Sequence, residues 1–201
     1  MRTAEDKSIV MPVVAALQVL ADRCHHDQIV VTNQGSARIW PKLRTRPLDF
    51  HYNPSTMGGL IPLALGLALA QPQREVLAIS GDGSLLMSLG SLVTVVASGA
   101  NNLSVVLLDN GIYEVTGGQE TPAKRSAVDY AGLARVTGFP STAEFRDLVD
   151  WQVRASDFFA LPGPRFIRLV VSKAPPEYLA SGTPLLAEQL AGLQHALGIF
   201  G

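Results

Sequence analysis

The sequence holds only one cysteine, Cys24, which excludes an internal disulfide framework and leads us to expect a reducing, cytoplasmic setting. No catalytic motif surrounds that thiol, so it reads as a buried or idle side chain. Charge is scarce in both signs: Lys and Arg total 16, Asp and Glu 17, and the net charge is −1. There is therefore no basic surface to attract nucleic acid or acidic membranes. Long apolar runs are missing as well. The longest, residues 60–70 and 92–97, fall well short of the roughly 20 residues of a membrane span. The opening MRTAEDKSIVMP lacks the charged-then-apolar layout of a signal peptide. No GxxxxGK[ST] occurs, which weighs against an α/β domain that binds a Mg²⁺–nucleotide through a P-loop.

What is present is largely apolar. Hydrophobic residues make up 47% of the 201, enough for one domain with a two-sided α/β core. The apolar surplus is expected to lie in subunit interfaces. Residues 79–119, ISGDGSLLMSLGSLVTVVASGANNLSVVLLDNGIYEVTGGQ, organise the rest. An apolar run delivers Gly81-Asp82-Gly83, a second delivers Asp109-Asn110-Gly111, and residues 83–108 carry no charge. Asp82 and Asn110 lie 28 positions apart, a spacing that suits a strand–helix–strand unit returning to the same sheet edge. Both loops then fall at the carboxyl ends of neighbouring parallel strands, where open α/β sheets bind ligands. The glycines around Asp82 let backbone approach a phosphate, and a helix starting near Ser84 offers it free N–H groups. A carboxylate, an amide oxygen and phosphate oxygens together suit Mg²⁺.

The remaining elements follow from pattern. Val13, Leu17, Leu20 and Cys24 lie on one side of a helix over 11–24, and His25-His26 follows where a helix end favours His. The β-branched run 29–32 reads as the first buried strand, followed by Asn33-Gln34-Gly35 and a helix through Trp40, which reads as packing. Residues 48–52 form a short strand candidate ahead of Ser55-Thr56-Met57-Gly58-Gly59 and the helix LIPLALGLALA. Leu85, Leu89, Leu92 and Val96 place one helix face over 85–96, with Ser, Gly and Thr opposite, so that helix is expected to be buried on both sides. Asn101-Asn102 reads as a turn. Ser126-x-x-Asp129 and Ser141-x-x-Glu144 resemble capping boxes and predict helices at 127–137 and 142–155, before a last core strand at 166–171. Leu186, Leu190, Leu193 and Leu197 mark a C-terminal helix. The expected organisation is a diphosphate- and Mg²⁺-binding domain over 1–174 with a helical extension over 175–201.

GDG, the correctly spaced DNG, the closing TGGQ and the upstream STMGG resemble the cofactor motif of thiamine-diphosphate enzymes, in particular sulfopyruvate and phosphonopyruvate decarboxylases, over roughly residues 29–171. The resemblance implies a three-layer αβα fold on a mostly parallel sheet, the thiamine-diphosphate-binding fold. It implies thiamine diphosphate and Mg²⁺ as cofactors, with Asp82, Asn110 and the Ile112 carbonyl on the metal. Asn33 and Gln34 would contact the terminal phosphate, with a polar turn and a helix cap at Ser36 as the alternative reading of the same residues. The Ser55 carbonyl would accept from the cofactor's amino group and Met57 would hold the cofactor bent. Gly81, Gly83, Ser84 and Tyr113 complete the implied cofactor set. Residues 114–121 are expected to order over the diphosphate only when the cofactor binds, and Asp109 to lie behind the site.

The glutamate that activates the cofactor belongs, in that family, to a pyrimidine-binding domain on a neighbouring chain. No second α/β domain is present, and no acid here, Glu114 included, takes that role. The resemblance therefore implies a β-type subunit of a split 2-oxo acid decarboxylase, with a pyrimidine-domain α subunit as partner in a hetero-oligomer built on dimers. Two departures stand out: STMGG replaces a GSMG-type run, and Glu114 stands where small residues are common. Lys124-Arg125 reads as a solvated pair, with contact to an anionic substrate group as the other possibility. A carboligating enzyme of the acetolactate-synthase type and a non-catalytic regulatory subunit stay open as alternatives.

Overall fold

The structure, a computed structural model, describes residues 10–180, 182 and 184–199. The leader-peptide expectation, and the outer ends of the expected domain and its extension, lie outside the described residues. The chain runs α1 (Val13–Arg23), β1 (Ile29–Asn33), α2 (Gln34–Leu43), β2 (Asp49–Tyr52), α3 (Leu60–Ala70), β3 (Val76–Gly81), α4 (Asp82–Leu86), α5 (Ser91–Ser98) and β4 (Leu103–Asp109). A small hairpin of β5 (Ile112–Tyr113) and β6 (Gln119–Glu120) follows, with a 3₁₀ turn over Glu114–Thr116 between its strands. The chain continues through α6 (Pro122–Ser126), α7 (Tyr130–Thr137), β7 (Ser141–Phe145), α8 (Leu148–Phe159), β8 (Arg165–Val170), α9 (Pro176–Leu179) and α10 (Leu186–Ala196).

Six strands pair in the order β2-β1-β3-β4-β8-β7, all parallel. Both faces are covered, which is why β1 (IVVTN) and β4 (LSVVLLD) are mostly apolar and have every residue buried. One core holds Val31, Ala78, Val105 and Phe166 against α3, α5, α7 and α10; the other holds Val30, Leu77, Val106 and Ile167 against α1, α2 and α8. This is the expected three-layer arrangement. Trp151 is fully buried and its indole N–H donates to the Ala16 carbonyl at 3.1 Å, joining α8 to α1. Trp40 is fully buried, as its reading as packing required. α10 covers the edge strand β2, where Gln189 Oε1 accepts the His51 N–H at 2.8 Å.

Three helix expectations need correction. Residues 141–145 are not helical but form edge strand β7, registered from Ser141 opposite Arg165 to Phe145 opposite Leu169. Ser141 Oγ donates to the Pro162 carbonyl at 2.6 Å, and Asp147 is the true cap, accepting from the Asp150 N–H at 2.9 Å. The Ser-x-x-Glu spacing was outweighed by pairing with β8, strengthened by Glu144 and Arg168 at 2.6 Å. The single helix over 85–96 is broken between α4 and α5. Leu85 and Leu92 are buried, whereas Leu89 is exposed. Gly90 weakens a helix there, and the bend admits Gly58, whose absent Cβ would lie 3.1 Å from Ser88 Cβ. α7 also starts later than expected, at Tyr130, with Asp129 rather than Ser126 as its cap.

Asn102 does more than turn the chain. Its Nδ2 lies 3.0, 3.1 and 2.8 Å from the carbonyls of Ala68, Gln71 and Arg74, serving the last turn of α3 and the turn into β3. Replacing Asn102 with Ala is expected to destabilise the chain by about 1–3 kcal/mol, read from the midpoint of urea unfolding.

Candidate functional site

β1 leads to β2 on one side and β3 lies on the other, so the strand order reverses between β1 and β3. A crevice at the carboxyl ends of parallel strands is expected at such a reversal. One is found there, lined by Asn33 and Gln34 after β1, Met57 before α3, Gly81, Asp82 and Gly83 after β3, and Asn110, Ile112 and Tyr113 after β4. Nine of the eleven site residues expected from sequence thus line one crevice. Ser84 lies beneath it, buried, and Ser55 is half-buried in the loop before Met57, outside the lining.

Asp82 is 1% exposed. Burial, and then the negative charge of Asp109, push its carboxyl up to about 6, against hydrogen bonds from Thr121 and from backbone N–H groups. Thr121 Oγ1 donates to Asp82 Oδ2 at 3.0 Å. An anion held this way lacks a counter-charge, which a divalent cation would supply. Among the described residues no three His, Cys, Asp or Glu side chains cluster as a metal site. A cation here must therefore draw on amide, carbonyl and ligand oxygens, a donor set that suits Mg²⁺. Asn110 Oδ1 accepts the Ile112 N–H at 3.1 Å, which fixes the amide and leaves its second lone pair.

The two glycines of GDG differ in their reasons. A Cβ on Gly83 would lie 2.6 Å from the Tyr113 ring, so the ring packs only on glycine. A Cβ on Gly81 would meet nothing within 4 Å, and its φ of −83° suits any residue. Neither backbone strain nor internal packing requires glycine at 81, which faces the crevice. Gln34 takes a left-handed φ of +50°, unusual for a side-chain-bearing residue and of a kind that concentrates at functional sites. Ser84 Oγ accepts from Asn33 Nδ2 at 3.2 Å and from the Gly58 N–H at 3.0 Å, tying three loops together. Asn33 and Ser36 form a capping box at the start of α2, with the buried Asn33 side chain turned toward the Ser36 N–H. Ser36 lies inside α2, where its Oγ accepts the Asn33 N–H at 3.1 Å.

Asp109 does lie behind the crevice, held by Arg168 through Nε at 2.7 Å and Nη2 at 2.5 Å. Sequence reasoning missed Thr121 and the contacts of Glu114. Glu114 Oε1 accepts the Ala174 N–H at 2.6 Å, and Oε2 lies 2.9 Å from where a Gly35 Cβ would be. Burial raises its carboxyl, opposed by the Ala174 N–H and by Lys173 and Arg38. Glu114 was visible in sequence as a departure from the motif; Thr121, a common polar residue after TGGQE, carried no signal. Lys124 and Arg125 are exposed and pair with Glu120 at 2.9 and 3.7 Å. His25 and His26 are exposed on the turn before β1, at the amino ends of the strands and away from the crevice at their carboxyl ends. Burial pushes the Cys24 thiol up to about 11, which makes it unreactive.

Residues 32–168 match the family model described as thiamine pyrophosphate enzyme, C-terminal TPP binding domain. The chain is 37% identical over 159 residues to a phosphonopyruvate decarboxylase of Streptomyces viridochromogenes, covering 79% of this chain and 39% of that protein. It is 38% identical over 146 residues to a sulfopyruvate decarboxylase subunit beta of Methanothermobacter thermautotrophicus, covering 72% of this chain and 74% of that subunit. It thus spans about two fifths of the former and about three quarters of the latter. An X-ray structure of a Mycobacterium smegmatis protein, described as a thiamin diphosphate-dependent enzyme, shares the fold with a TM-score of 0.67. It is 22% identical, over 82% of this chain and 32% of that one. Among the described residues, no helix is long and apolar enough to cross a membrane.

The raised Asp82 carboxyl carries a stability signature. Its folded value, about 6, lies above the ordinary 3.8, so its contribution turns unfavourable as pH rises from about 4 to 6 and stays so above. Asp82→Asn is expected to stabilise the metal-free chain by about 2 kcal/mol at pH 7.5 and by close to nothing at pH 4, read from thermal unfolding at both pH values.

Proposed function

Because the chain belongs to the thiamine pyrophosphate enzyme family through its C-terminal TPP binding domain, we propose that it is the β-type subunit of a split, thiamine-diphosphate- and Mg²⁺-dependent 2-oxo acid decarboxylase. The substrate would be sulfopyruvate- or phosphonopyruvate-like. The observation that carries this reading is the convergence of Asp82 and Asn110, 28 residues apart, on one crevice beside a Gly81 that nothing inside the chain requires.

Asp82, the free lone pair of Asn110 Oδ1 and the Ile112 carbonyl would hold the cation. Gly81 and Gly83 would admit the diphosphate, with Asn33, Gln34 and Ser84 contacting it. The Ser55 carbonyl and Met57 would orient the pyrimidine end, and Tyr113 would close the crevice over Gly83. When bound, thiamine diphosphate supplies the carbon nucleophile and the electron sink that loss of CO₂ needs.

The acid that activates the cofactor is assigned to a pyrimidine-domain α subunit acting with this chain in the cytoplasm. The subunit beta name of the methanogen relative supports a partner. So does the surface of α3–α5, where Leu69, Met87 and Val93 are more than half exposed in a region poor in charge. Carboligation would use the same crevice, so product analysis is part of the test.

Calorimetric titration of thiamine diphosphate into the chain, alone and with its partner, is expected to give binding only with Mg²⁺. Asp82→Ala is expected to weaken it by about 100-fold or more, and Gly81→Val to abolish it without loss of thermal stability. Below pH about 6 the apparent Mg²⁺ affinity should fall about tenfold per unit, as protons compete for Asp82. No binding even with the partner would overturn the proposal and leave a structural subunit.

A further inference from the structure

We infer that Thr121 is the positioning residue for the candidate metal carboxylate, and that through it the hairpin β5–β6 and Asp82 move as one unit. The inference rests on the proposed cofactor reading and goes beyond its set of contact residues.

Thr121 stands at the N-cap of α6, where a threonine hydroxyl ordinarily accepts from a backbone N–H of the first turn. Here it makes no such bond. The hydroxyl turns inward, 1% exposed, and donates to Asp82 Oδ2 at 3.0 Å. The backbone of Thr121 is fixed at both ends. Its N–H donates to the Gly111 carbonyl at 2.9 Å, closing the base of the hairpin, and its carbonyl accepts from Lys124 at 3.1 Å. A β-branched side chain has little χ1 freedom on a fixed backbone, so the hydroxyl sits where the hairpin base puts it.

The other foot of the hairpin holds the second candidate ligand, because the Ile112 N–H donates to Asn110 Oδ1. Between the feet, the Tyr113 ring covers Gly83. Each candidate metal side chain is therefore bonded to one foot of the same hairpin, and the turn carrying Asp82 is packed beneath its middle. The Thr121 hydroxyl on Oδ2, with the backbone N–H groups on the same carboxyl, fixes how the carboxylate is turned. A helix cap that leaves α6 uncapped to hold a carboxylate 39 residues away in sequence is a positioning device.

The test uses the full chain with its partner and separates metal from cofactor affinity. Thr121→Val, with Thr121→Ala as a second variant, is expected to raise the Mg²⁺ concentration for half-saturation about tenfold at fixed thiamine diphosphate. Cofactor affinity at saturating Mg²⁺ should stay within about twofold, and Thr121→Ser should restore the metal requirement to within about twofold of wild type. Amide hydrogen exchange across 111–121 gives a second readout: Mg²⁺ with cofactor should slow it in wild type and Thr121→Ser, and much less in Thr121→Val. A wild-type Mg²⁺ requirement in Thr121→Val, or a Ser variant as impaired as Val, would overturn the inference alone. A wild-type protein that binds no cofactor, or is indifferent to Asp82→Ala, would overturn the cofactor reading and this inference with it.

Discussion

Asp82 is a carboxylate buried at the mouth of a parallel sheet with a second carboxylate, Asp109, close enough to raise its pKa. Most of the surrounding polar structure answers that problem. Arg168 crosses from β8 to hold Asp109 and also binds Glu144, stacking its guanidinium 5.5 Å from the centre of the Tyr130 ring. Asp109 is thereby compensated from behind, and Asp82 is left as the uncompensated anion facing the crevice. Proteins retain such a cost where the missing charge arrives with a ligand. That uncompensated charge is what the proposed cation would answer.

The sheet brings these groups together without help from charge elsewhere. Residues 83–108 carry none: β4 is buried throughout, and the exposed side of α4–α5 presents Met87, Leu89, Val93 and small uncharged residues. Polar chemistry is confined to the ends of β1, β3 and β4, where chain reversal opens the crevice. Ser84 couples the loops after β1 and β3 to the loop before α3, so Asn33, Asp82 and Met57 share one support.

Much of this was legible in the sequence, and the reasons differ by element. The central strands were readable because burial on both faces leaves mostly apolar runs, as in 76–79 and 105–108. Asp82 and Asn110 were readable because each follows such a run in a glycine-bearing turn. Edge strand β7 was not: half-exposed, it carries a polar-rich STAEF that mimics a helix start, and only pairing to β8 decides it. The break between α4 and α5 depends on the approach of Gly58 from a distant loop. Thr121 was invisible because its role is a bond across 39 residues, with no periodicity or motif to mark it.

The central claim is that one cation bridges Asp82, Asn110 and a diphosphate. Mn²⁺ substituted for Mg²⁺, with thiamine diphosphate and the partner subunit present, allows a direct reading by pulsed electron-nuclear double resonance at phosphorus. The account predicts a ³¹P coupling from metal-bound phosphate in the wild-type complex and its loss in Asp82→Ala. Bound Mn²⁺ without ³¹P coupling, or a coupling unchanged by Asp82→Ala, would contradict it.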